Sequence, residues 1–138
     1  MRFDAGMLEY SQITDSVKIT VTPIYMEDES IIDENYFIWT YNIIIENQGD
    51  KPVQLISRYW HITDGNGDVK EVRGSGVIGL QPTIKPSDKF EYNSGVQLNT
   101  ASGMMEGFYE MVLEDGTLFK ALIPAFSLDS DLQLARPN

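Results

Sequence analysis

The stretch that decides the fold is Phe37-Ile38-Trp39-Thr40-Tyr41-Asn42-Ile43-Ile44-Ile45-Glu46. Its odd positions, Phe37, Trp39, Tyr41, Ile43 and Ile45, are all large and apolar, while Thr40, Asn42 and Glu46 among the even ones are polar. Successive side chains of a strand point to opposite faces, so this spacing predicts one face on a core and one wetter face. No helix of period 3.6 places those five residues on one side.

Working outward, the same period recurs. Val17, Ile19 and Val21 alternate with Lys18, Thr20 and Thr22, and Tyr25 continues beyond Pro23. A proline there predicts an edge strand or a bulge. Asn47-Gln48-Gly49-Asp50 turns the chain, and Ile56, Trp60 and Ile62 alternate within 53–63, with Arg58 as the exception. Asp64-Gly65-Asn66-Gly67 is a turn before a strand at 69–72. Phe90 and Tyr92 mark another strand, followed by a loop running through Gly95 and Gly103.

The last two strands, 108–113 and 118–123, form a hairpin across Glu114-Asp115-Gly116. A two-residue turn would set Met111 against Lys120. A three-residue loop with a left-handed Gly116 sets Met111 against Phe119 and Glu110 against Lys120. Matched pairs of this kind contribute roughly 0.2–1 kcal/mol each, so the three-residue loop is expected.

About seven short strands predict an all-β fold, a sandwich of two antiparallel sheets, with a small barrel as the competing architecture. A chain of 138 residues suits one domain. The patterned region is 16–128, preceded by a partly extended lead at 1–15 and followed by a tail at 129–138.

Composition narrows the function. Ten Lys and Arg against 21 Asp and Glu give a formal net charge of −11. Such a surface repels nucleic acid and anionic membranes, so neither is expected as a partner. With no cysteine, disulfides and thiolate metal sites are excluded. No run approaches the ~20 apolar residues of a membrane helix, and the start lacks a signal-peptide core, so a cytoplasmic protein is expected.

Gly74-Ser75-Gly76-Val77-Ile78-Gly79 has the spacing of a dinucleotide-binding loop. That mechanism needs a helix N-terminus after the last glycine, and Pro82 and Pro86 argue against one. Two readings remain. Exposed amides could make an anion nest for a small phosphorylated ligand, with Arg73 adding charge and Ser75 a hydroxyl beside Gly74, Gly76 and Gly79. The same glycines can make a bend or bulge between strands that binds nothing, the reading favoured by how often isolated glycine motifs of this kind occur without a ligand.

These residues also carry a resemblance. Arg58-Tyr59-Trp60-His61-Ile62-Thr63-Asp64-Gly65-Asn66-Gly67 and Val72-Arg73-Gly74-Ser75-Gly76-Val77-Ile78-Gly79-Leu80-Gln81-Pro82 are similar to segments of the bacterial ApaG family. So are Phe90-Glu91-Tyr92-Asn93-Ser94-Gly95, Gly103-Met104-Met105-Glu106-Gly107 and Ile123-Pro124-Ala125-Phe126. The resemblance implies an immunoglobulin-like or fibronectin type III-like sandwich. It also implies no established catalytic activity, an indirect link to cobalt and magnesium tolerance, and, from ApaG domains in larger eukaryotic proteins, protein–protein binding. The family's glycine motif maps onto Gly74, Gly76 and Gly79. Where the family usually has histidine before the tryptophan, this chain has Tyr59.

Other candidates are weaker. His61 is the only histidine, and its strand phase sets it on the face opposite Trp60, with Asp64 the nearest carboxylate in sequence to orient it for Ser–His chemistry. Asp64-x-Asn66-x-Asp68 starts like a calcium loop but has Val69 and Ser75 where glycine and glutamate are needed. Glu27, Asp28, Glu29, Asp33 and Glu34 are hard-cation ligand types, yet a solvated acidic loop explains them too. Trp39 and Trp60 lie in apolar rows and are expected in the core. The expectation is therefore a module without catalytic residues, metal or cofactor, binding a protein or, alternatively, phosphates at 74–79; free sheet edges leave homodimer formation open.

Overall fold

A computed structural model describes residues 8–131 and Gln133. Residues 1–7 of the expected lead, and 132 and 134–138 of the expected tail, lie outside the described residues. Among the described residues nine strands follow one another: β1 (Tyr10–Thr14), β2 (Val17–Tyr25), β3 (Phe37–Asn47), β4 (Val53–Asp64), β5 (Val69–Ser75), β6 (Thr83–Ile84), β7 (Lys89–Leu98), β8 (Ser102–Leu113) and β9 (Leu118–Asp129). One antiparallel sheet runs β1-β2-β3-β7 and the other β5-β4-β8-β9, with β6 a short addition to β4. The chain is an all-β sandwich.

The deciding stretch behaves as its spacing requires. Phe37, Trp39, Tyr41, Ile43 and Ile45 are all buried, facing Trp60, Met105, Tyr109, Met111 and Phe126 from the opposite sheet in one continuous core. Tyr41 and Phe126 both meet the Trp60 ring edge-on, at centroid distances of 5.3 and 6.0 Å. Aromatic pairs favour such geometry because a positive ring edge meets a negative face. Pro23 pairs with β3 on one side, and on the other β1 reaches only as far as Val21, so the missing N–H faces no ladder.

The β8–β9 hairpin takes the expected register. Met111 opposes Phe119 and Glu110 opposes Lys120. The Leu113 N–H donates to the Thr117 carbonyl, and Gly116 turns with φ +88°. The Asp64–Asp68 turn repeats this design, with Gly67 left-handed and the Asp64 carboxylate accepting the N–H groups of Asn66 and Asp68. The calcium-like spacing is thus accounted for by turn chemistry.

Three expectations are corrected. The two strands beyond the expected seven, β1 and β6, are short and have little alternation to betray them. The region read as a loop through Gly95 and Gly103 is β7 continued to Leu98, a tight turn, and β8 from Ser102. Finally, β4 carries a bulge at Ile56, where its pairing with β8 skips a residue. A bulge adds one residue and reverses the facing of those after it. Val53 and Leu55 face inward before it; Arg58, Trp60 and Ile62 face inward after it. Arg58 is therefore not the outward exception in its row. Ile56 is.

The two flanks of the sandwich differ. On one, β9 packs along β1 and β2. There Tyr10 touches Phe126, the Leu122 N–H donates to the Thr14 hydroxyl, and buried Gln133 accepts the Tyr25 N–H through its main-chain carbonyl. On the other, β5 and β7 each pair on one side only, and they do not pair with each other.

Candidate functional site

Between the free edges of β5 and β7 the sheets part around a groove of about 600 Å³. Tyr41, Arg58, Trp60 and Tyr92 form its floor, and Val72 and Val96 stand in its walls. Val69 and Ile78 lie at its rim, 55% and 59% exposed. Pockets of this volume that mix apolar walls with a few polar groups are the usual form of a ligand site.

Arg58 enters because of the bulge. Its Nη1 donates to the carbonyls of Ser75 at 3.1 Å and Gly76 at 2.8 Å, so the guanidinium ties the floor to the glycine loop. Gly74 lies directly across the ladder from Arg58. A Cβ there would sit 2.8 Å from both Nη1 and Nη2, so glycine lets the guanidinium pack directly over the β5 backbone and a larger residue would shift it. Below it, the hydroxyls of Tyr92 and Tyr109 lie 2.5 Å apart. Burial pushes both phenols well above their ordinary range, and Tyr41 is raised by the same cause. The nearby Arg58 charge works against these shifts without overcoming the desolvation.

The glycine loop is built differently from a phosphate cradle. No helix follows Gly79. The Gly76 N–H donates to the Ile56 carbonyl, and Val77 and Leu80 exchange both of their backbone hydrogen bonds. A Cβ on Gly76 would fall 2.2 Å from the Leu80 carbonyl oxygen. Ile78 and Gly79, with φ of +43° and +78°, form the two-residue turn of a minimal hairpin. Three amides of the loop are engaged inside the protein, and the loop sends the Val77 and Ile78 side chains toward the groove.

Arg73 is not brought to those amides. It lies on the outer face of the β5-β4-β8-β9 sheet, its guanidinium 4.4 Å from the centre of the Tyr59 ring and 3.8 Å from Glu71. Tyr59 stacks on Phe108 at 5.0 Å, and Lys120 covers Phe108 at 4.6 Å, so a cation-capped aromatic ladder crosses four strands. The Tyr59 hydroxyl donates to Glu71 at 2.6 Å, which raises its pKa.

His61 shares this outer face, opposite Glu71 on β5 and Glu106 on β8, beside a depression of about 390 Å³. Asp64, proposed to orient it, is engaged by its own turn. The acidic segment forms two single turns, Glu27–Glu29 and Ile32–Glu34, with its carboxylates exposed. Among the described residues no three acidic or histidine side chains gather to hold a metal ion. Nor, among them, is any helix long and apolar enough to cross a membrane.

Sequence reasoning missed Arg58 and the groove. The signal available was an arginine breaking an apolar row just after Ile56.

Comparisons with known proteins agree on one family. The ApaG domain model matches residues 27–113. The ApaG protein of Agrobacterium fabrum is 51% identical over 121 residues, covering 88% of this chain and 93% of that protein. That of Paramagnetospirillum magneticum is 50% identical over 129 residues, covering 94% and 99%. A crystal structure of a protein described as ApaA from Bordetella pertussis superposes with a TM-score of 0.80 at 42% identity, covering 82% and 92%.

Proposed function

The chain belongs to the ApaG family, and from that premise we propose that it is a non-catalytic binding module that receives a segment of another protein between β5 and β7. The observation that carries this reading is the open flank itself. Among the described residues two unpaired strand edges border a groove whose mouth carries the exposed apolar Val69 and Ile78 beside the polar Asp64, Asp68 and Lys70. Natural sheets usually blunt such edges, and an added partner strand would satisfy the backbone groups and cover the exposed Val69 and Ile78.

Ile78 supports it. A β-branched side chain at positive φ is costly, and residues held in such strain cluster at functional sites. Here the strain holds an isoleucine out in solvent at the groove's lip.

The absence of catalysis is inferred from chemistry. Groove hydroxyls belong to Tyr41, Tyr92 and Ser94, two of them phenols with raised pKa, and the sole histidine lies on the opposite face of the sheet. The phosphate reading at Arg73–Gly79 has less support, since loop amides are engaged and Arg73 is drawn to Tyr59 and Glu71.

Photo-crosslinking tests the reading. A benzophenone amino acid replacing Ile78 should trap a protein from cell extract that the same label at Leu122, on the closed flank, does not. Adding Val72→Arg to fill the groove should abolish the Ile78 adduct. Equal trapping at both positions would refute the site.

A further inference from the structure

We infer that the groove is built for an extended segment carrying a carboxylate side chain, seated on Arg58, with an apolar side chain two residues away against Val72. This rests on the groove reading above and names the chemistry of its occupant.

Arg58 is an inward-facing charge with no counter-charge within 4 Å among the described residues. The chain has 21 acidic residues, yet among the described residues its one ion pair within 4 Å is Arg73–Glu71, on the outer face. Arg58 donates from Nη1 to two neutral carbonyls. Among the described residues its Nε and Nη2 make no hydrogen bond within the protein. Those two nitrogens form the edge of a guanidinium that a carboxylate meets with two parallel hydrogen bonds. A partly desolvated cation of this kind is unfavourable unless paired, and it is here by way of a backbone bulge, packed over Gly74.

Strand geometry then fixes the spacing. The inward positions of β5 are those opposite Arg58, Trp60 and Ile62, namely Gly74, Val72 and Lys70. A strand added to the free edge of β5 points alternate side chains into the groove. Its residue beside Gly74 comes alongside the Arg58 guanidinium, which packs over that glycine; its residue beside Val72 meets an apolar wall and the Trp60 floor. The expected motif is apolar-x-acidic, read in either chain direction. The overall charge of −11 adds that the rest of the partner is basic or neutral, because a uniformly acidic one is repelled at long range.

The test uses random decapeptides displayed on phage and selected on the immobilised full chain, with Val72→Arg protein as counter-selection to isolate groove-dependent binders. Enrichment of Asp or Glu two positions from Val, Ile or Leu is expected. A synthetic peptide from that pool should lose about tenfold in affinity when its acid becomes Gln, the loss of one charge-assisted pair. On Arg58→Gln protein, checked for folding by its thermal melt, that discrimination should vanish. Arg58→Lys keeps the charge without the planar fork, should restore part of the discrimination, and serves if the Gln variant does not fold. Groove-dependent peptides indifferent to Glu or Gln would overturn the carboxylate and leave the groove standing. Peptides that bind Val72→Arg protein equally well would overturn both.

Discussion

The two flanks of the sandwich solve one problem in opposite ways. Both must end two sheets whose inner faces are apolar. On the β1/β9 side the chain closes the gap itself: Phe126 bridges Tyr10, Tyr41 and Trp60, and Gln133 straps the end of β9 to β2. On the β5/β7 side none of the described residues fills the gap, and the interior reaches the surface through Arg58 and the tyrosines beneath it. The closed flank is built for stability, and the open one is where we propose that recognition takes place.

The sharpest way to break that division is at Phe126. It is essentially unexposed, and Phe126→Ala should cost about 3–5 kcal/mol through lost burial and a cavity, measured by denaturant unfolding. A cost below about 1 kcal/mol would mean the closed flank does not hold the sheets.

Next comes pH. Tyr92 and Tyr109 have pKa values raised above the unfolded value near 10, first by burial. The folded state therefore favours the neutral phenols. The resulting stability is fully present below about pH 10 and is lost as pH rises from there toward the folded values, approaching about 1.4 kcal/mol per pH unit for each tyrosine. Urea midpoints between pH 9 and 11 should fall steeply, and less steeply in the Tyr92→Phe/Tyr109→Phe double variant. Equal slopes would place these hydroxyls in water.

How much of this was legible in the sequence also divides by flank. The alternation at 37–45 gave the core face, and the charges of Glu110 and Lys120 gave a register, because both are side-chain patterns of near neighbours. The inward turn of Arg58 was not legible. One inserted residue reverses a strand's facing without changing its composition, so the arginine looked like an exception when Ile56 was. The groove was less legible still, since no residue type announces that β5 and β7 will be the unpaired strands. The glycine spacing was ambiguous for a related reason: Ile78 and Gly79 make a two-residue hairpin turn and Gly74 lies under a guanidinium, needs that share their letters with a phosphate loop.

A smaller effect sharpens the role of Gly74. Gly74→Ala puts a methyl 2.8 Å from the Arg58 guanidinium, which must then shift and strain its bonds to the Ser75 and Gly76 carbonyls. A loss of about 1–2 kcal/mol is expected from overpacking and the displaced charge. Thermal melts should show it alongside weakened binding of acid-bearing peptides, whereas an unchanged melt would place Arg58 elsewhere.

The smallest effect has the opposite sign and separates the flanks most clearly. Ile78 holds φ at +43° in a turn that favours asparagine or glycine, and its side chain is 59% exposed. Ile78→Asn gives up little buried surface and relieves backbone strain, so the fold should gain about 1 kcal/mol. The same change strips the rim of its largest apolar side chain, so partner binding should weaken while the melting temperature rises. A variant that both melts lower and binds normally would show that Ile78 packs for the fold, and that the open flank presents nothing.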